Sequence, residues 1–342
     1  MVLITNIHDN PIFSYIVKMS LKLLDNSNFF GKKFFLITIS AITIYSIFII
    51  YSDINLVYDQ IINFDFSFLP IILTLIFLSW LMLFFRWMIL LKNSGIDIPL
   101  KDNFLIYFAG FALSVSPGKS GELLKSVLLK NKFNIKRTTS VSIIFIERFY
   151  DVIGAVLVTL TGIVYLGVEF VPAIIIASSL IILILFSIYS KTSFKFFINI
   201  ITKFKFLKKF SVSIENSYNV IREASSLKIA LISSSLTVVY RLIEALAIYC
   251  VLLGFGIDIV PYFVLAATYS SSIILGAVTM IPGGLGVTEG SFAGLLSLQN
   301  IEIGTALVLA VIIRFFTTWY GVIVGFISLK LSKGLKKNFD VT

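Results

Sequence analysis

Charge is what this sequence has least of. Asp, Glu, Lys and Arg make up 13% of its 342 residues and hydrophobic residues 58%, where an ordinary soluble domain carries about 25% charged residues. So few polar side chains cannot cover so much apolar surface, which excludes a soluble globular protein and leaves lipid as the solvent. Histidine and cysteine are nearly absent too: His8 and Cys250 stand alone. One of each excludes a zinc site of His and Cys ligands, a histidine-based triad and an intramolecular disulfide. Cys250 falls inside an apolar run and is expected to be buried in a helix. No metal or cofactor is expected. An A-x-A-like cleavage site is missing from the first long apolar run, which begins near Phe34, so no cleavable signal peptide is expected. The net charge of +10 does not imply nucleic acid, because the basic residues lie between apolar spans, where they act as topology signals.

What is present is a series of apolar runs. A helix needs ~20 residues to cross a hydrocarbon layer, and six segments qualify, at about 34–51, 67–91, 139–167, 171–190, 228–254 and 303–329. Two further stretches, roughly 103–130 and 260–298, are broken at their centres by Pro-Gly. With the N-terminus inside and each broken stretch returning to the side it left, 24 of the 28 Lys and Arg fall on the inner face. The remaining four, Arg86, Arg148, Arg241 and Arg314, lie within apolar segments, and the outer side receives Asp53, Asp59 and Asp65. This is the asymmetry of the positive-inside rule, and it places both termini in the cytoplasm of a multi-pass cell-membrane protein. Were 103–130 a full crossing, the basic group after it would lie outside. Re-entrant hairpins are therefore expected, with arms of ~10–15 residues that are short for a crossing. Two short crossings per stretch would leave the parity unchanged.

The expected fold is thus an all-α polytopic membrane protein with about six spanning helices and two re-entrant helical hairpins in an inverted repeat. Residues 1–33 form a cytoplasmic or interfacial segment, with an amphipathic stretch at 11–24 that lies on the membrane or forms a loose tail. Residues 34–330 form the transmembrane domain, and 331–342 a basic cytoplasmic tail. The loop 191–228 carries seven Lys and one Arg; it serves either as a headgroup-binding patch or as an ordinary positive-inside connection between two halves.

The two halves, about 67–167 and 228–330, share a pattern. Ser116-Pro117-Gly118-Lys119-Ser120-Gly121-Glu122 in one is matched by Pro282-Gly283-Gly284-Leu285-Gly286-Val287-Thr288-Glu289-Gly290 in the other. Both read Pro-Gly-x-x-Gly with Glu soon after, and Arg148-Phe149 and Arg314-Phe315 follow their prolines at nearly equal spacing. One unit starts inward and the other outward, the inverted arrangement in which secondary transporters build midplane sites from broken helices. Proline stops one arm, glycine permits the turn, and the next arm opens with free N–H groups that attract an anion; the same breaks could equally be structural. Gly118-Lys119-Ser120 is not an ATP-binding loop, since that motif requires Gly at the position of Leu113.

Ionisable groups at membrane depth are costly and mark functional sites. The candidates are Glu147, Arg148 and Asp151 on one helix, Arg241 and Glu244 at i, i+3 on another, and Arg314, which lacks a local acid and must find a distant one such as Glu122 or Glu289. Neutral pairing, substrate binding and proton relay are all compatible with this set. The candidate substrate-binding residues are Pro117, Gly118, Gly121, Glu122, Glu147, Arg148, Asp151, Arg241, Glu244, Pro282, Gly283, Gly284, Gly286, Glu289 and Arg314.

The runs Pro117-Gly118-Lys119-Ser120-Gly121-Glu122, Glu147-Arg148-Phe149-Tyr150-Asp151 and Pro282 to Gly290 resemble the lysylphosphatidylglycerol synthase transmembrane, or flippase-like, family. The resemblance extends over nearly the whole chain from about residue 34. It implies translocation of lipids between leaflets, with phospholipids or polyprenyl-linked sugars as cargo. Some members carry a soluble aminoacyl-transferase domain; none is expected in these residues, and synthase activity is not carried over. The expectation is a non-enzymatic translocase of an anionic lipid or lipid-linked sugar, acting alone, as a homo-oligomer or beside a biosynthetic enzyme. The alternatives are a non-transporting partner of such an enzyme, and a membrane glycosyltransferase, for which the inner face offers no Asp-rich loop.

Overall fold

The computed structural model describes residues 62–116, 121–162, 226–279 and 281–332, with isolated positions 175, 179 and 222. The expected spans at 34–51 and 171–190, the loop 191–228 (apart from its last residues), both termini and the turn residues Pro117 and Gly118 lie outside the described residues. Every regular element among those described is helical, as an apolar solvent requires, since a helix satisfies its own backbone groups.

The chain enters through a 3-10 turn, Phe66–Phe68, which Asp65 caps by accepting from the Ser67 N–H at 2.9 Å. The Ser67 hydroxyl and, to a lesser extent, this N–H hold the exposed Asp65 carboxyl below its usual value. Helix α1 (Leu69–Asn93) follows, with Pro70 in its first turn, where a missing N–H costs nothing. The first broken stretch comprises α2 (Leu100–Ala109), a 3-10 turn (Gly110–Leu113) and α3 (Leu124–Phe133). Asn134 ends α3 in the left-handed region at φ 55°. Helix α4 (Arg137–Thr161) carries the Glu147, Arg148 and Asp151 cluster at its centre.

The second half opens with α5 (Leu227–Gly254). The second broken stretch then runs through α6 (Tyr262–Val278), the turn Pro282–Gly284 and α7 (Val287–Ser297). Gly283, Gly284 and Gly286 have φ of 60°, 66° and 82°. A side chain is strained in that region, so the Pro-Gly-Gly-x-Gly spacing is read directly as backbone shape. Helices α8 (Ile303–Arg314) and α9 (Tyr320–Ser332) form one continuous rod through a π-helical segment, Phe315–Trp319. Phe66–Asn93, Leu227–Gly254 and Ile303–Ser332 are each long and apolar enough to cross a membrane.

Two large buried cores and a small one lie among the described residues. The first centres on α1, α2, α3 and α4 around Trp80, Trp87, Tyr107 and Phe108 and takes in Tyr240 and Ala247 of α5. The second centres on α5, α6, α7 and α8 around Val251, Leu265, Phe292 and Leu309 and takes in Ile72 of α1; Val158, Ala245 and Ala266 form the third. The halves are tied where α1 packs on α5, α4 on α5 and α6, and α9 on α2. The last contact is close. A methyl built on Gly325 would stand 2.6 Å from the Phe111 carbonyl carbon and 2.7 Å from Ala112 Cα. Gly325→Leu is therefore expected to lever α9 off the 3-10 turn and to cost about 1–3 kcal/mol by overpacking. Thermal unfolding of the purified protein in detergent would register the loss, and an unchanged midpoint would contradict this packing.

Candidate functional site

The charged residues of α4 find their partners across helices. Arg86 of α1, fully buried, places Nη1 2.8 Å from Asp151 Oδ1 and Nη2 3.8 Å from Glu147 Oε1. Its Nη1 also donates to Thr237 Oγ1 of α5 at 2.7 Å, so one guanidinium joins three helices. Lys125 of α3 is 1% exposed and donates to Glu147 Oε2 at 2.5 Å, with Glu122 Oε2 at 3.3 Å. Arg148 reaches Glu122 Oε2 at 2.9 Å and Asp151 Oδ2 at 2.8 Å. Followed around, these contacts close a ring of six alternating charges: Arg86, Asp151, Arg148, Glu122, Lys125, Glu147 and back to Arg86. Ions taken out of water are tolerable in such a place only when each is compensated.

The second half has smaller groupings. Arg314, on the last turn of α8, donates through Nε to Glu289 Oε1 at 2.8 Å and through Nη2 to the Gly283 carbonyl oxygen. Glu289 accepts in turn from the Gly286 N–H at 2.8 Å, which closes the start of α7. Glu289 and Arg314 are 25 residues apart, as Glu122 and Arg148 are 26 apart. The corresponding acid and base of each half thus meet in space. Arg241 pairs with Glu244 at 2.8 Å within α5, and the Tyr240 hydroxyl donates to the same carboxylate at 3.1 Å.

Between these groups lies a cavity of about 320 Å³. Its charged lining is Glu122, Arg148 and Asp151 from one half and Arg241, Glu244 and Arg314 from the other. Aromatic rings including Trp80, Tyr107, Tyr240 and Tyr269 complete the wall, together with Gly283 and Gly284 of the second turn and Thr317 and Thr318 of the π segment. Arg148 is its most accessible cation, with 25% of the side chain exposed against 8% for Arg314. Ala277 and Ile281, also in the lining, are exposed to the outside.

Most of the expected site residues converge here, but in different roles. Glu147 and Glu289, fully buried, do not line the cavity; they stand behind Lys125 and Arg314. Gly121 packs on Leu113 behind the first turn, with its N–H donating to Ser116 Oγ at 2.5 Å, and Gly286 starts α7. Pro282 contributes its backbone to the second turn. Sequence reasoning missed Lys125, which falls among lysines that serve as topology signals and is instead buried between two carboxylates and two rings. Its i, i+3 spacing from Glu122 was the available signal. Arg86 was visible as a membrane-depth base, but nothing local identified its partners on α4.

Comparison with known proteins agrees with this description. The model of the family described as the lysylphosphatidylglycerol synthase TM region matches residues 37–325. A UPF0104 membrane protein of Methanocaldococcus jannaschii is 28% identical over 221 residues, which cover 63% of this chain and 91% of the relative.

Proposed function

Since this chain belongs to the lysylphosphatidylglycerol synthase TM-region family of integral membrane proteins, we propose that it moves an anionic lipid or lipid-linked sugar across the bilayer by binding the headgroup in the central cavity. One observation carries the reading: a single cavity is lined by arginines from both halves, Arg148 and Arg314, each tethered to the corresponding Glu of its own half. The phosphate of a headgroup would bind at these two guanidinium groups and at the N–H groups of the Pro-Gly turns, while the acyl chains stay in lipid. Glu122 and Glu289 then keep the arginines positioned between loads rather than contacting cationic cargo. The two broken stretches are the re-entrant hairpins of an inverted repeat, with units at about 67–167 and 228–330. The matched Glu–Arg pairs, Glu122 with Arg148 and Glu289 with Arg314, support that division. In this reading both termini are cytoplasmic, the membrane is the cell membrane, and the protein is a carrier and not an enzyme.

The test is reconstitution in liposomes, with fluorescent phospholipids and polyprenyl phosphates followed between leaflets, with and without a proton gradient. Wild type is expected to accelerate one lipid class. Replacing both arginines, Arg148→Gln with Arg314→Gln, removes two charge-assisted contacts worth about 1.5–3 kcal/mol each and is expected to slow translocation roughly 100-fold or more. Translocation that survives the double substitution in folded protein overturns the assignment.

A further inference from the structure

Among the described residues, an anion entering this cavity meets balanced charge. Arg86, Lys125, Arg148, Arg241 and Arg314 are matched in number by Glu122, Glu147, Asp151, Glu244 and Glu289. Arg148 already touches two carboxylates, so a phosphate added there would crowd three anionic groups around one guanidinium. If Glu122 were simply pushed aside, a carboxylate only 2% exposed would be left short of a cation, and stranding a buried charge is strongly unfavourable.

The ring contains an answer to this. Glu122 Oε2 lies between two cations, 2.9 Å from Arg148 Nη2 and 3.3 Å from Lys125 Nζ. Lys125 is outside the cavity lining and cannot touch a headgroup. It is held in place by Glu147 at 2.5 Å and by the rings of Trp87 and Tyr107, whose centroids are 4.4 and 5.0 Å from Nζ. Its stem runs along Gly110, where an added Cβ would come within 2.9 Å of Lys125 Cγ. A long 3.3 Å contact has room to tighten to the ~2.7–2.9 Å of a full charged hydrogen bond. The remaining ring charges facing this exchange are Asp151 on Arg148 and Arg86 on Glu147, and neither needs to move.

We infer that Lys125 is a positioning residue that receives Glu122 when a headgroup phosphate takes its place on Arg148. Glu122 is then an exchangeable gate on the arginine, and Lys125 sets how readily it yields. The inference rests on the headgroup reading above and adds to it which carboxylate the cargo displaces and where that carboxylate goes.

The experiment uses the full-length protein in phosphatidylcholine liposomes, with short-chain phosphatidylglycerol as the probe for equilibrium binding and for transport rate. Glu122→Gln removes the competitor from Arg148, so binding should tighten about tenfold while maximal transport falls because release is slowed, a fall in KM together with kcat. Lys125→Met removes the cation that receives Glu122, and binding should weaken about tenfold. In the double variant the gate is gone and tight binding should return; Lys125→Arg, which keeps the cation, should recover most of the affinity. A lysine with a merely structural role would give the same loss with or without Glu122, and that result overturns the inference. Should Lys125→Met fail to fold, Glu122→Gln decides alone: unchanged or weaker binding overturns it. Wild-type protein that neither binds nor moves this probe or a polyprenyl phosphate overturns both this inference and the carrier reading, whereas normal wild-type transport with unresponsive variants overturns only the gate.

Discussion

Arg86→Leu is expected to destabilise the protein by about 3–5 kcal/mol, the usual cost of removing one partner from a buried ion pair. Arg86 is fully buried and neutralises Asp151 at 2.8 Å while sharing Glu147 with Lys125. Leucine would pack among the same helices, so little of the loss comes from volume. It comes from leaving three carboxylates in the ring to two cations and from depriving Thr237 of its donor across α1 and α5. Thermal unfolding in detergent, read by size-exclusion fluorescence, measures it. Adding Asp151→Asn removes one stranded charge and should recover part of the loss. A single Arg86→Leu variant that melts with wild type would refute the idea that the ring contributes to stability.

Glu289→Ala should be comparably damaging, at about 3–5 kcal/mol. The carboxylate is fully buried and holds both the Arg314 Nε–H and the Gly286 N–H at 2.8 Å. Truncation removes the counter-charge of a largely buried guanidinium and the bond that closes the glycine-rich turn. Amide exchange should rise most over residues 281–290, ahead of the rest of α7. Glu289→Gln keeps an acceptor for one of the two donors and should cost less, about 1–3 kcal/mol. Equal losses for Ala and Gln would mean that the lost charge alone decides the cost and that neither side-chain volume nor the retained acceptor matters at this position.

Both predictions depend on contacts of very different legibility. Arg241 and Glu244 were readable as a pair because i, i+3 spacing on a helix brings them together in almost any fold, and they meet at 2.8 Å. The left-handed glycines at 283, 284 and 286 were readable because Pro-Gly-Gly-x-Gly constrains backbone geometry locally. For Arg314, the absence of a neighbouring acid left a few distant candidates, Glu122 and Glu289 among them, and Glu289 is the one it meets. Glu147 was less legible. It sits next to Arg148 in sequence, but adjacent residues on a helix point apart by about 100°, and its side chain turns to Lys125 and Arg86 instead. The π segment after Arg314 carried no signal at all, since Phe-Phe-Thr-Thr-Trp is compatible with an ordinary helix.

The sequence by itself determined the solvent, the helical class, where the two stretches break and, Lys125 apart, which ionisable residues lie deep. Each of these depends on composition or on spacing within a single segment. Only the tertiary structure decided which charges meet. The ring joins α1, α3 and α4 with Glu122 just before α3, and its hydrogen bond from Arg86 to Thr237 spans 151 residues. Such pairings depend on how the helices cross and rotate, which packing side chains such as Trp87, Tyr107 and the glycines at 110 and 325 set together. Tertiary structure also separated the cations that face the cavity from Arg86 and Lys125, which stand behind it, because burial is a property of the assembled helices and of no single stretch of chain.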